Sequence, residues 1–239
     1  MRSVKKLVKT VGLKEFVETY GRRYSEAIGI RLADGDAEIF KWFLASLLFG
    51  APITESAAIK TFHCFERHGV LTPRKIVDAG WERLVAILDE GGYTRYDYKT
   101  ADKLLEVANN LVEAYGESLS RVENVASDTR DLERRLKDLG KGVGDVTVSI
   151  FLRELRGIWE KADPYPTSLE LLAGERLGIL GKGLEREETL GQLKVFWAKH
   201  RVAGLTFVHF ETALLRLGKE CRRGKCNVGL RYRRMGRGQ

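Results

Sequence analysis

The sequence predicts an all-α protein, on three observations. Apolar residues recur at helical spacing along most of the chain, strand-like alternation never runs beyond about four residues, and each periodic stretch is bounded by Gly or Pro. Val4, Leu7, Val8 and Val11, followed by Phe16, Val17 and Tyr20, form the first apolar stripe. Ile39, Trp42, Phe43, Ser46 and Leu47 open a second helix, nearly all apolar and so expected to be buried on every side. The period continues over 57–66, 81–88 and 100–115. Ser127-Asp128-Thr129-Arg130-Asp131 supplies N-cap residues and an acidic first turn for the next helix, whose buried face is Leu132, Leu136 and Leu139. The turn Gly140-Lys141-Gly142-Val143-Gly144 leads into a helix through Val146, Ile150, Phe151 and Leu155 toward Trp159, and two helices so joined make an αα-hairpin. After Asp163-Pro164-Tyr165-Pro166 come three more helical patterns, 168–177, 187–200 and 207–217, and then a basic tail.

Composition narrows the class. With 239 residues, 44% apolar, 31% charged and only 4 Pro, the chain can bury one sizeable core or two modest lobes, and disorder is excluded. The longest apolar run, 42–53, is broken by Ser46, Gly50 and Pro52 and falls well short of the roughly 20 residues a membrane helix needs. The basic N-terminus leads into a helix-period pattern rather than an apolar signal core, so the expected location is the cytoplasm. A net charge of +8 favours a polyanionic partner. Seven cations (Arg222, Arg223, Lys225, Arg231, Arg233, Arg234 and Arg237) fall in the last eighteen residues. Three cysteines, Cys64, Cys221 and Cys226, are too few for a disulfide framework and fit a reducing compartment. Only 2 Gln and 4 Asn stand against many charged residues, a balance expected of a thermophilic source.

The glycine turn is the most informative motif. Gly142 and Gly144 let consecutive backbone N–H groups face outward at a helix N-terminus, where a phosphate binds, while Val143 anchors the turn and Lys141 adds positive charge. The same turn serves equally well as a plain structural connection. Four stretches in order, Phe40 to Leu48, Gly91-Gly92-Tyr93 to Ala101, Leu139 to Thr147, and Leu214 to Cys221, resemble the helix-hairpin-helix superfamily of DNA base-excision glycosylases, the group that includes endonuclease III. The resemblance spans roughly residues 38–229.

That resemblance implies a two-lobed helical fold with a DNA-binding cleft: a central lobe over 38–158 holding the hairpin (128–159), and a second lobe built from 1–37 and 159–239. It implies a monomer that acts on double-stranded DNA carrying a damaged or mismatched base. The family places a catalytic Asp past the hairpin, and Asp163 stands 21 residues after Gly142. Breaking an N-glycosidic bond develops oxocarbenium character on the sugar, so a preorganised carboxylate stabilises that charge and can orient a water. Members that also cut the backbone carry a Lys two residues after the last hairpin Gly, where this chain has Val146, so a monofunctional enzyme is expected. The alternatives are a bifunctional enzyme with a displaced lysine, Lys141 or Lys161, and a non-catalytic DNA-binding module.

DNA contacts are expected from Lys141, Gly142, Val143, Gly144, Thr147, Arg222 and Arg223, and a flipped-base pocket from Trp42, Tyr93 and Tyr96. The wedge that fills the gap falls in the loop at Ala51 or Pro52. The chain departs from the family in having Pro164-Tyr165-Pro166 after Asp163 and one extra residue between Leu139 and Gly142. The family's iron–sulfur loop needs four thiolates, and only Cys221 and Cys226 remain of it, with Gly229 where a third would stand. No cofactor and no metal are expected.

Overall fold

Apolar spacing resolves into twelve α-helices among the described residues, in a computed structural model that describes residues 9–226 and 228–231. The fold is all-α apart from one short pair of strands. The chain divides into two compact units, Met1–Tyr24 with Tyr165–Gln239, and Ser25–Pro164.

The first departure from the sequence reading is at the start. Residues Lys9–Gly12 form a strand, β1, rather than continuing the helical stripe, and α1 covers only Leu13–Tyr20. A short helix, α2 (Tyr24–Ala27), follows.

The unit Ser25–Pro164 is built around α3 (Asp36–Phe49), in which Ile39, Phe40 and every residue from Trp42 to Leu48 are buried, so the helix is covered on all sides as its composition predicts. Each fully buried side chain of that size contributes about 1.5–3 kcal/mol. Around it come α4 (Glu55–Arg67), capped by Thr54, and α5 (Pro73–Gly91), which opens with Pro at its first turn and is interrupted at Gly80. Next are α6 (Asp97–Tyr115) and α7 (Leu119–Val125), the latter too short to show a period in the sequence. Ser120 pins α7 to the start of α3, its N–H and hydroxyl both donating to Asp36 Oδ1 at 2.9 and 2.7 Å. The hairpin helices are α8 (Thr129–Asp138) and α9 (Asp145–Leu155). Helix α9 stops four residues short of Trp159 because Gly157, at φ 85°, turns the chain away.

The boundaries of this unit fall at 24/25 and 164/165 rather than at 37/38 and 158/159. Residues 25–37 join it because Ile28, Ile30 and Leu32 are buried and the Ser25 N–H donates to the buried Glu154 carboxylate at 3.0 Å. Residues 159–164 join it because Trp159 stacks edge-on against Phe151 at 5.5 Å.

The other unit gathers α10 (Ser168–Arg176), α11 (Arg186–Lys199) and α12 (Phe207–Arg222) with α1, around Phe16, Val17, Leu193, Phe210, Leu214 and Leu217. Strand β2 (Val228–Arg231) pairs with β1 in parallel, Lys9 against Val228 and Gly12 against Arg231. No helix among the described residues is long and apolar enough to cross a membrane.

Candidate functional site

The glycine turn between α8 and α9 has the form its sequence predicts. Gly142 sits at φ 83°, in the left-handed region, and a Cβ there would lie 3.1 Å from Lys103 Cε. Val143 is buried and its N–H donates to the Gly140 carbonyl at 3.1 Å, which closes the turn. Gly144 occupies the N-cap of α9 with no side-chain cap, and nothing lies within 4 Å of where its Cβ would be. The first amides of α9 therefore open outward at the positive end of the helix dipole. The turn is tied to α6, since Asn110 Nδ2 donates to the Leu139 carbonyl and the Lys141 N–H donates to Glu106 Oε2, both at 2.9 Å. Asp145, which brings negative charge to a place suited to an anion, is ion-paired with Lys137 at the end of α8.

Beside the turn lies a cavity of about 480 Å³. Gly50, Ala51 and Pro52 of the loop after α3 form one wall, Tyr96, Lys99 and Lys103 another, and Lys141 and Gly142 of the turn a third. It gathers Tyr96, Lys141 and Gly142, all expected from the sequence, with the Ala51–Pro52 loop. Among the described residues none of its three lysine ammonium groups is ion-paired. Lys103 is half-buried, and loss of hydration pushes its pKa below the ordinary lysine range. Sequence reasoning missed Lys99 and Lys103. Their signal was an i, i+4 pair of cations on α6, which puts both on one helix face.

Asp163 is accessible, with 37% of its side chain exposed. Its carboxylate is ion-paired with Arg156, the residue that caps the C-terminus of α9, and Arg156 Nη2 also donates to the Pro164 carbonyl at 2.8 Å. Arg130 Nη2, in the first turn of α8, donates to the Asp163 carbonyl at 3.1 Å. Asp163 is thus held in the hairpin's own unit by one arginine from each hairpin helix, but it is not among the residues lining the cavity at the glycine turn. Arg156 fixes the carboxylate's orientation and at the same time offsets part of its charge. Val146, where relatives of the resembled family carry a lysine, is 60% exposed. The amine of Lys161 donates to the Glu123 carbonyl at 2.9 Å and is thereby held away from other chemistry.

Three expected site residues are corrected. Trp42 and Tyr93 are fully buried core residues rather than walls of a base pocket. Each satisfies its polar tip on a backbone carbonyl, the Trp42 indole N–H donating to Phe151 at 3.1 Å and the Tyr93 hydroxyl donating to Leu48. Burial also pushes the Tyr93 hydroxyl's pKa well up. Thr147 is buried against the backbone at Gly50, so its side chain packs α3 on α9 and cannot touch DNA.

Arg222 and Arg223 are exposed at the end of α12, in the other unit, while Arg233, Arg234 and Arg237 lie outside the described residues. Cys221 and Cys226 are joined in a disulfide and Cys64 is a buried free thiol. Two sulfurs bonded to each other do not fit a four-thiolate cluster. His63 pairs with Glu66, His68 with Glu90, and His209 completes the N-terminal cap of α12. Among the described residues no three His, Cys, Asp or Glu are grouped to hold a metal. In comparisons with known proteins, no family model and no curated protein matches the chain.

Proposed function

We propose that the chain is a monofunctional DNA N-glycosylase of base excision repair. The observation that carries the reading is the uncapped glycine turn of the α8–α9 hairpin, opening beside three unpaired lysines in one cavity. Outward amides at a helix N-terminus next to clustered ammonium groups suit a DNA phosphate. A base on which chemistry is done must leave the duplex stack, and Tyr96 in the cavity wall supplies a ring near the gripped backbone. Asp163, oriented by Arg156, serves as the carboxylate that stabilises positive charge at C1′ and orients the attacking water. Hydrolysis of this kind needs no amine, in keeping with Val146, and no cofactor.

The decisive experiment scores duplexes each carrying one lesion for an alkali-labile site. Asp163→Asn is expected to abolish base release while DNA affinity stays within a few-fold. Unchanged release removes Asp163 from the reaction. Binding with no release on any lesion leaves a non-catalytic helix-hairpin-helix DNA-binding module.

Lys103 favours one second reading. Its half-buried amine, with a pKa lowered by burial and Cε against Gly142, has the character of a Schiff-base nucleophile. Borohydride separates the two. A hydrolytic enzyme gives no covalent adduct with lesion DNA, whereas a lyase through Lys103 gives an adduct that Lys103→Met loses.

A further inference from the structure

The cavity at the glycine turn has an aromatic neighbour that the reading above does not use. Trp81 is the first residue after the break in α5 at Gly80, and Tyr98 lies in the first turn of α6. Their rings sit 5.2 Å apart, tilted by 41°. Both are open to solvent, Trp81 at 39% and Tyr98 at 59%, in a unit that buries Trp42, Phe43, Phe62 and Phe65 completely. The Trp81 indole N–H donates to Asp102 Oδ1 at 2.8 Å, which satisfies its polar edge and holds the ring in place.

Asp102 also lines the cavity, so the ring pair adjoins its rim. Asp102 and Glu106 keep their negative charge while accepting from the Trp81 indole and the Lys141 N–H, and the three ammonium groups of Lys99, Lys103 and Lys141 outnumber these two acids, so the cavity lining is net positive. An exposed, rigidly held aromatic pair beside unpaired cations suits neither a protein partner's apolar face nor a bare anion. Ring faces bind a nucleobase and ammonium groups bind the phosphate joined to it, the combination by which proteins hold unpaired nucleotides.

We propose that Trp81 and Tyr98 form a stacking platform for an unpaired DNA base whose phosphate lies against Lys99 and Lys141 beside the glycine turn. The inference rests on the DNA-directed reading above and adds to it the site that takes single-stranded character, such as the strand opened around an extruded base. It assigns the base recognition to ring faces rather than to hydrogen bonds, so it predicts tolerance of base identity.

Trp81 doubles as the reporter, because Trp42, Trp159 and Trp197 are buried. The full chain is titrated with a thymidine oligodeoxynucleotide and with a sugar-phosphate oligomer of equal length that lacks bases. The thymidine strand is expected to quench tryptophan fluorescence and to bind at least about fivefold more tightly, the scale of one stacked base. Trp81→Phe is expected to remove most of the quenching. Tyr98→Ala is expected to weaken the thymidine strand by about fivefold or more while leaving the base-free oligomer unchanged. Equal binding of the two oligomers, unaltered thymidine-strand affinity in both Trp81→Ala and Tyr98→Ala, or no binding of either oligomer overturns the platform. Base release from lesion duplexes and its loss in Asp163→Asn are read separately, so failure of the platform and failure of the glycosylase reading are told apart.

Discussion

At the scale of single residues, Lys103 makes the sharpest prediction. Its pKa is lowered by burial, so as pH rises from that lowered value toward the ordinary lysine value of about 10.4 the unfolded chain holds its proton longer than the folded one. Stability therefore increases with pH across that window rather than decreasing. A phosphate in the cavity favours the charged amine, so binding takes up a proton above the lowered pKa. Oligonucleotide affinity is expected to be flat at neutral pH and to fall as pH climbs through that value, with a slope approaching one proton. Lys103→Met is expected to weaken binding at neutral pH and to flatten the alkaline slope. Affinity measured from neutral pH to the ordinary lysine value checks this, and an unchanged slope in the variant removes Lys103 from the anion site. The amine was not legible in the sequence, because its burial depends on the turn at Gly142, which lies on another element. Tyr93 was misread for a similar reason. After Gly91 and Gly92 it has the look of a loop aromatic, yet Gly92 at φ 97° ends α5 and the ring packs inward with its hydroxyl on Leu48. Asp163 was expected from the family resemblance, whereas its ion-pair partner Arg156 was not anticipated.

At the scale of elements, the contact of α3 with α9 joins the ties from α6 in fixing the hairpin to its unit. Trp42 and Phe43 meet Phe151 there, and its tightest point is at Gly50, the C-cap of α3, where a Cβ would collide with Thr147 Oγ1. Gly50 has an ordinary helical backbone at φ −72°, so the effect of Gly50→Ala is overpacking rather than strain. A loss of about 1–3 kcal/mol is expected, read as a lower denaturant midpoint with an unchanged slope. Thr147→Ala removes the colliding oxygen but leaves a Cβ 3.2 Å away, so the double variant is expected to recover part of that loss and not all of it. Simple additivity of the two changes contradicts the contact. Most elements were legible because local signals agree: the cap at Asp128 before α8 and the turn at Gly142 both stand where the sequence puts them. Three failures share a cause in range or length. Strand β1 pairs with a segment at the far end of the chain, which no local pattern carries. Helix α7 is shorter than two full turns. Ile158 and Trp159 continue the apolar period of α9 past the residue where its backbone has already turned.

At the scale of the whole molecule, the chain leaves one unit and returns to it, so only the other unit is contiguous in sequence. Composition does not shift at either crossing, which is why the boundaries were read a dozen or so residues from their place at one end. Contiguity has a consequence for autonomy. Four polar groups of Ser25–Pro164 find partners inside it: the Ser25 N–H on Glu154, the Trp42 indole on Phe151, the Tyr93 hydroxyl on Leu48 and the Ser120 hydroxyl on Asp36. Cutting at its two boundaries breaks none of these bonds. The remaining unit is different, because α1 lays Phe16 and Val17 into the core of α12, and Arg216 on α12 donates to the Tyr20 carbonyl at 2.7 Å and lies over the Tyr24 ring. Without residues 1–24 that core loses three large side chains, Leu13, Phe16 and Val17, each worth about 1.5–3 kcal/mol of burial, a loss comparable to the roughly 5–15 kcal/mol by which a folded domain is stable. A fragment of residues 25–164 is therefore expected to unfold cooperatively by circular dichroism, whereas 165–239 alone melts without a sharp transition and regains one when a peptide of residues 1–24 is added. A cooperative 165–239, or a molten 25–164, contradicts the division of the core on which both the hairpin site and its aromatic neighbour depend.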